Sequence, residues 1–339
     1  MHSVTASAEQ AWPPFVLVTG LLLIGSVAAA DGLFEALGAR ISRSRLGSSA
    51  LLVALLALVA GVTAVLNLDT SVVFLTPVLV YAARRRRLDE RPFLYGSVFM
   101  ANAASLLLPG SNLTNLLVVR SDPQNGFSFA LRMLPPWLVS CTLTAGFLVV
   151  AFRLEESGGD DGELPELRLG IGAASTLAAG ALVLGLPNPA LPVLVVGVAA
   201  VTVRRARINL DPRALAALFA LAVAFGSLGR LCSGLGNLVS TSGAPATAAV
   251  GAATAILINN LPAALVLSSR PVNHPHALLL GLDLGPNLAV TGSLSALLWL
   301  QAARAVDARA SILAYSRLGL ALVPPTLAAA LVTLLVTRP

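Results

Sequence analysis

Long apolar stretches recur along the whole chain, at 14–30, 48–66, 131–152, 169–185, 189–203, 214–228 and 318–336. A helix needs about 20 apolar residues to cross the hydrocarbon core of a bilayer. Many of these stretches have no polar face to turn toward water, as a surface helix of a soluble protein does. The pattern predicts an all-α, polytopic membrane protein. Its spans are expected at 12–35, 92–118, 130–152, 169–185, 187–204, 212–231, 276–302 and 311–335.

Two further apolar stretches, 47–83 and 244–268, carry a polar knot in the middle. The first knot is Asn67-Leu68-Asp69-Thr70; the second is Asn259-Asn260-Leu261-Pro262. Each reads as a re-entrant hairpin, whose tip sits in protein or water at membrane depth while both ends return to one side. Charge placement agrees for the first. Arg40, Arg43 and Arg45 precede it and Arg84, Arg85, Arg86, Arg87 and Arg91 follow it, so both ends are expected in the cytoplasm. The topology then places the N-terminus outside, 36–46 inside, 119–129 outside, 153–168 inside, Arg204, Arg205 and Arg207 inside, 303–310 inside and the C-terminus outside. The second hairpin enters from outside.

The spans 92–118 and 276–302 are themselves interrupted. The first holds Asn102 and Ser105, then Pro109-Gly110-Ser111-Asn112-Leu113-Thr114-Asn115; the second holds Asp283-Leu284-Gly285-Pro286-Asn287, then Gly292-Ser293. Helix breaks at Pro109, Gly110, Pro262, Gly285, Pro286 and Gly292 free backbone groups that Asn and Ser side chains can satisfy, and they leave helix dipoles pointing at one place. The halves share this plan with opposite hairpin entry. That is an inverted repeat: a first, truncated repeat over 1–152 with hairpin 47–83, an acidic cytoplasmic linker over 153–168, and a second repeat over 169–339 with hairpin 244–268. It is the plan of secondary transporters, with the site near the midplane.

Composition narrows the function. The chain of 339 residues is 56% hydrophobic and 11% charged, against about 25% charged in soluble domains. The net charge of +6 lies in short clusters between apolar runs, which reads as topology rather than a nucleic-acid surface. Cys141 and Cys232 sit in apolar surroundings and suggest neither a disulfide nor a metal site. His274 and His276 read as surface residues of an outer loop. The apolar run after Met1–Pro14 follows no basic segment and reads as the first span, not a signal peptide. No nucleotide-binding or hydrolase motif occurs, so the chain is expected to be no enzyme, to need no cofactor, and to draw energy from a gradient, a potential or a partner. Two carboxylates fall inside apolar sequence, Asp69 at the first tip and Asp283 at the second interrupted span. Intramembrane carboxylates mark proton relays and ion pathways. Asp69 has the alternative of capping the helix that follows it.

At these residues the chain resembles the arsenical pump membrane protein family, the arsenite/antimonite permeases, within the ion-transporter superfamily that also holds sodium/proton antiporters and citrate or dicarboxylate carriers. The resemblance rests on Asp283-Leu284-Gly285-Pro286-Asn287-Leu288, on Gly292-Ser293-Leu294-Ser295 through Trp299, on Asn259-Asn260-Leu261-Pro262, and on Ala104-Ser105-Leu106 with Ser111-Asn112-Leu113-Thr114-Asn115. It implies a secondary carrier of the bacterial inner membrane that expels trivalent arsenic or antimony, driven by protons or the membrane potential. By the same resemblance, Asn67, Asp69, Ser111, Asn112, Asn259, Asn260, Asp283 and Ser293 form the site, with Asp69 or Asp283 as proton carrier. A homodimer, an elevator-like movement and a soluble ATPase subunit are also implied. Three departures stand out: the chain starts about two spans late, Asn102 replaces an Asp, and Asn287 replaces a Lys. Sodium/proton antiport and organic or inorganic anion transport remain alternatives.

Overall fold

The computed structural model describes residues 2–119, 126–155, 170–186, 188–206, 212–231 and 234–337. Most of the expected linker at 153–168, most of the loop at 119–129, and Cys232 lie outside them. All regular structure among the described residues is helical. The apolar run expected to cross at 12–35 divides in two. Helix α1 (His2–Ala30) begins ten residues before that span, and Gly32 then turns the chain at φ 71°, a left-handed conformation open to a residue without Cβ. A separate amphipathic helix, α2 (Leu33–Ser42), follows; it buries Leu33, Phe34 and Ala36 and exposes Glu35 and Arg40.

Helices α3 (Ser48–Val65) and α4 (Leu68–Arg85) are separated by Leu66 and Asn67. Asn67 is extended, and its side-chain oxygen accepts from the Thr70 N–H at 2.7 Å, which caps α4 at the turn. The outer ends of the pair meet: the buried Arg86 guanidinium donates to the carbonyls of Ser42 at 3.0 Å, Ser44 at 3.2 Å and Leu46 at 2.9 Å. Helix α5 (Arg91–Ala104) has Pro92 in its first turn, where no N–H is needed. A 3-10 turn over Pro109–Ser111 and the short helix α6 (Leu113–Val119) come next, then α7 (Gly126–Phe152).

Helices α8 (Ile171–Gly185), α9 (Ala190–Arg204) and α10 (Pro212–Leu231) follow. The chain then bends by 74° into α11 (Gly234–Thr241), a helix the apolar pattern does not announce. Helices α12 (Ala244–Ile258) and α13 (Asn260–Leu267) are joined by Asn259 alone. After α14 (Pro275–Leu284) come 3-10 turns at Gly285–Leu288 and Val290–Gly292, then α15 (Leu294–Ala305) and α16 (Ile312–Val336).

Side-chain contacts sort the helix ends onto two faces. On one, Asp31 at the end of α1 pairs with Arg204 at the end of α9, 2.5 Å, and accepts from the Gly172 N–H at the start of α8, 2.8 Å. Arg84 at the end of α4 donates to Val306 O beyond α15 at 2.7 Å, and Tyr95 near the start of α5 meets Ser311 before α16. On the other, Arg230 at the end of α10 reaches Ser7 near the start of α1 at 3.3 Å. There Ser269 after α13 reaches Gly229 at 3.1 Å, and Asn273 reaches Ser240 before α12 at 2.5 Å. Helix α1, about 43 Å long at 1.5 Å per residue, connects the faces. The α3–α4 pair therefore opens on the first face and the α12–α13 pair on the second.

Two cores surround these pairs. One packs α3, α4 and α5 with α15; the other packs α12, α13 and α14 with α6. Helix α6 thus belongs to the second core and α15 to the first, so the chain crosses between cores at 105–112 and at 285–293. The surface is that of a protein solvated by lipid. Helix α7 buries Phe129, Met133, Pro136, Ser140, Thr144 and Leu148 on one stripe and exposes Leu131, Leu134, Leu138, Leu143 and Val150 on the rest. Helix α16 similarly exposes Ile312, Leu313, Leu320, Val332 and Val336. Four helices among the described residues are long and apolar enough to span alone, at Val4–Ala30, Ser48–Val65, Gly126–Phe152 and Ile312–Val336; the bent α10–α11 pair makes a fifth. The remaining expected spans are shorter apolar helices, such as α8 and α9, or pairs divided by a turn.

Candidate functional site

The two crossing points touch, and their contact is polar. Asp283, the last-but-one residue of α14, is fully buried. Its Oδ1 accepts from Asn112 Nδ2 at 2.9 Å and from Thr114 Oγ1 at 2.8 Å. Its Oδ2 lies 3.3 Å from Ser105 Oγ. That hydroxyl already has the Asn102 carbonyl at 2.8 Å. A hydroxyl has one proton to give. When Ser105 gives it to Asn102 O, the contact with Oδ2 is completed by a proton on the carboxyl. Asp283 therefore sits where both charge states find hydrogen bonds, among neutral donors. About one turn before Ser105 and one turn after Asp283, Asn102 Nδ2 donates to Asn287 Oδ1 at 2.7 Å, and Asn287 Nδ2 reaches Phe99 O at 3.3 Å.

The backbone freed at each break is satisfied by named side chains, as burial demands. In the first, Ser111 Oγ lies 2.5 Å from Ser105 O and 2.6 Å from Leu108 O, and Asn115 Nδ2 donates to the same carbonyls at 2.7 and 3.1 Å. Trp137 of α7 donates to Ala104 O at 3.1 Å. In the second, Tyr315 of α16 donates to Pro286 O at 3.0 Å, Asn259 donates to Thr291 O at 3.1 Å, and Ser293 caps α15 through the Ala296 N–H at 3.2 Å. Trp137 and Tyr315 play the same part, each an aromatic donor from a long helix to a carbonyl of a break.

Each helix pair touches a break: α3 packs on Pro109–Ser111, and Asn259, at the turn of the second pair, is tied to Thr291. Asp69 does not cap α4; Asn67 does. The Asp69 carboxylate is half-buried in the first turn of α4 and, among the described residues, has no hydrogen-bond or ion-pair partner. Asn67 Nδ2, Thr70 Oγ1, Asn102 Oδ1 and Asn115 Oδ1 are buried and have no hydrogen-bond partner among the described residues. Asn259 holds φ 77°, ψ 148°, a conformation that favours glycine. Asn260 is buried beside it.

Of the residues singled out from sequence, Asn112 and Asp283 are bonded to each other. Ser111, Ser293 and Asn259 hold the backbone of the breaks. Asn67 and Asp69 share a turn but form no hydrogen bond to the others. Ser105, Thr114 and Asn115 belong to the motifs read in the sequence, yet their roles appear only where the halves cross; Trp137 and Tyr315 carried no such signal. His276, expected at the surface, is 3% exposed and lies on the Phe129 ring, with centroids 5.8 Å apart. No group of three metal-binding side chains occurs among the described residues.

Known proteins resemble this chain in sequence, and one solved structure resembles it in fold. The citrate transporter family, CitMHS, matches residues 2–287. The arsenical pump membrane protein of Yersinia enterocolitica is 27% identical over 361 aligned positions, covering 93% of this chain and 84% of its own. The silicon efflux transporter LSI3 of Oryza sativa subsp. japonica is 26% identical over 147 residues; that alignment takes in 43% of this chain and only 30% of the rice protein. The crystal structure of the Alcanivorax borkumensis YdaH transporter shares the fold over 98% of this chain and 87% of its own, with a TM-score of 0.56 at 17% identity. The chain is accordingly a secondary active membrane transporter of a small solute or ion, and it belongs to the citrate transporter family, in the branch of the ion-transporter superfamily that includes the arsenical pumps.

Proposed function

We propose that this chain exports a small, uncharged, hydroxylated metalloid, arsenite or antimonite, across the cytoplasmic membrane of a bacterium, driven by protons or the membrane potential. The observation that carries the reading is that, among the described residues, Asp283 is bonded to no cation: its partners are Asn112, Thr114 and Ser105. No arginine or lysine occurs in 48–83, 92–119, 244–269 or 271–303. A multiply ionised citrate would meet carboxylates there and no compensating charge. Trivalent arsenic travels in neutral water as a hydroxide that gives and takes hydrogen bonds, which suits the unpartnered amide and hydroxyl atoms of Asn67, Thr70, Asn102 and Asn115. The two curated relatives handle arsenicals and silicon, which share that hydroxide chemistry. Asp283 is the proton carrier in this reading.

The same reading takes α3–α4 and α12–α13 as re-entrant hairpins and α5–α6 and α14–α15 as broken membrane helices of an inverted repeat over 1–152 and 169–339. Opposite opening of the two pairs supports it, as do the exchange of α6 and α15 between cores and the paired prolines Pro135–Pro136 and Pro324–Pro325 in α7 and α16. The face that gathers Arg84, Arg86 and Arg204 is then cytoplasmic. A homodimer and a soluble ATPase subunit rest on the family resemblance.

A second reading, sodium/proton antiport, is favoured by the free carboxylate of Asp69 beside Asn67 and Thr70, whose oxygens suit a hard cation. The deciding experiment is arsenite accumulation in a host lacking its own pump, with and without this chain. Lowered accumulation supports export. Equal accumulation with the protein shown in the membrane overturns it, and a sodium-driven pH change in everted vesicles would then identify the antiporter.

A further inference from the structure

On the face that holds the start of α1, away from the crossing point, a pocket of about 250 Å³ opens between α7, α12, α14 and the end of α16. Arg132, Ala244, Asn273, His274, His276 and Leu335 line it. It lies below the range of about 300–1,000 Å³ typical of sites for drug-sized ligands. Asp283 lies seven residues along α14 from His276, about 10 Å at 1.5 Å per residue, so the pocket is separate from the site described above.

Its lining has one sign. Arg132 brings a full positive charge, His274 and His276 bring imidazoles, and no acidic residue among those described lines the pocket. The Arg132 Nε is buried and has no hydrogen-bond partner among the described residues. A buried guanidinium N–H left unpaired is costly, and the rigid fork of arginine matches two oxygens of a phosphate or carboxylate. The ring of His276 is held against Phe129. Asn273 is tied to Ser240 O, so this wall of the pocket is anchored to the end of α11. Helix α14 starts here with Pro275, which has no N–H, and no side chain caps it. Its first amides add positive potential to that of Arg132.

We propose that this pocket binds a single phosphate group, with Arg132 as its anchor. The group comes from inorganic phosphate or from the headgroup of an anionic phospholipid at the membrane surface. Bound there, it ties α7 to the first turns of α12 and α14, at the base of the second helix pair.

The test uses the full chain purified in an uncharged maltoside detergent. Sodium phosphate is titrated against thermal unfolding, with sodium chloride at matched ionic strength as control. A midpoint that rises with phosphate and not with chloride is the expected result for free phosphate. In Arg132→Gln the phosphate concentration for half the effect should rise about tenfold or more, the loss of a charge-assisted hydrogen-bond pair. His274→Glu, at a half-buried rim position, should abolish the effect by repulsion, and it keeps the test decisive if Arg132→Gln does not fold. Native mass spectrometry gives the lipid arm: selective retention of phosphatidylglycerol over phosphatidylcholine, lost in both variants, assigns the headgroup as the source. A phosphate response and lipid retention equal in wild type and variants, or absent from wild type in both arms, overturns the proposal.

Discussion

Asn102 donates its side-chain amide to Asn287 at 2.7 Å, joining the end of α5 to the second break. By the family resemblance, these are two positions at which an arsenical pump is expected to carry Asp and Lys, where this chain has Asn and Asn. The departures are one change in space: an acid and a base expected in the family are replaced together by two amides that bond to each other. The exchange keeps the local charge at zero and leaves Asp283 as the carboxylate of the crossing.

The pairing predicts a strongly non-additive cycle. Asn102→Asp alone buries a carboxylate beside a neutral amide, and Asn287→Lys alone buries an uncompensated ammonium. Each should destabilise by about 3–5 kcal/mol, the cost of an unpaired buried charge. The double variant regains a partner for each charge and should recover most of that loss. Thermal midpoints of the detergent-purified proteins give the cycle. Additive losses would show that the two residues do not act as a unit.

Asp283→Asn keeps the size of the side chain but presents an NH₂ to a neighbourhood of donors. Asn112 and Thr114 both give hydrogens to Oδ1, so the new amide must turn its oxygen to them and its nitrogen to Ser105. The geometry is tolerable, and the protein should still insert and fold. Transport in loaded everted vesicles should fall to background and lose its response to an imposed proton gradient. Undiminished, pH-dependent transport would remove Asp283 from the coupling path.

Much of this was legible in the chain because the sequence marks departures from apolarity sharply. Asp283 and Asp69 are carboxylates in long uncharged runs, and both breaks are written in Gly, Pro and Asn. The α2 and α11 helices were not legible: the apolar run into Leu37 hides the division at Gly32, which one residue's φ sets, and α11 is too short to carry an apolar run of its own. The partners of Asp283 were also hidden. Thr114 and Ser105 lie about 170 residues away, and only the exchange of half-helices between cores brings them to it. His276 was misjudged because a polar residue after Pro275 reads as loop, whereas α7 covers it.

Asp31 ties three helix ends together, and its loss should be felt at low pH. Burial pushes its carboxyl up, but the hydrogen bond from Arg204, the Gly172 N–H and the Arg204 charge together outweigh that and hold it below the ordinary carboxylate value. A depressed folded value means the stabilisation is full above the unfolded value, about 3.9, and fades as pH falls through the lower, folded one. Wild type and Asp31→Asn should therefore differ in thermal midpoint at pH 7 and converge below about pH 4. The pair is half-exposed on the Arg204 side, so the difference at pH 7 should be about 1 kcal/mol. A difference that grows toward low pH would contradict this account.

Helix α14 approaches α12 closely because small residues line the contact. A Cβ on Gly285, in the turn that ends α14, would come within 2.7 Å of Ala252 Cα, a backbone atom with no flexible side chain to yield. Gly285→Ala should cost about 1–3 kcal/mol through overpacking. Gly146→Ala on α7, where a Cβ meets nothing within 4 Å, should be neutral or slightly stabilising through helix propensity. Parallel thermal melts compare the two, and equal effects would mean the α12–α14 contact is looser than described.

Asn259 pits strain against function. Its φ of 77° with ψ of 148° costs a residue with a Cβ about 1–3 kcal/mol. Its side chain returns two hydrogen bonds, one to Thr291 O at 3.1 Å and one from the Leu261 N–H at 3.3 Å, worth about 1 kcal/mol each. Asn259→Gly removes both strain and bonds, so the folded protein should change by no more than about 1 kcal/mol. Asn259→Ala keeps the strain, loses the bonds and should be clearly less stable. If the tie to Thr291 serves only to hold the fold, transport should follow stability, and the glycine variant should work like wild type. If Asn259 sets the turn of α12–α13 against the second break so that the solute is enclosed, both variants should transport poorly while only the alanine variant melts early. Stability and vesicle transport measured on the same preparations separate the two, and we expect the second pattern.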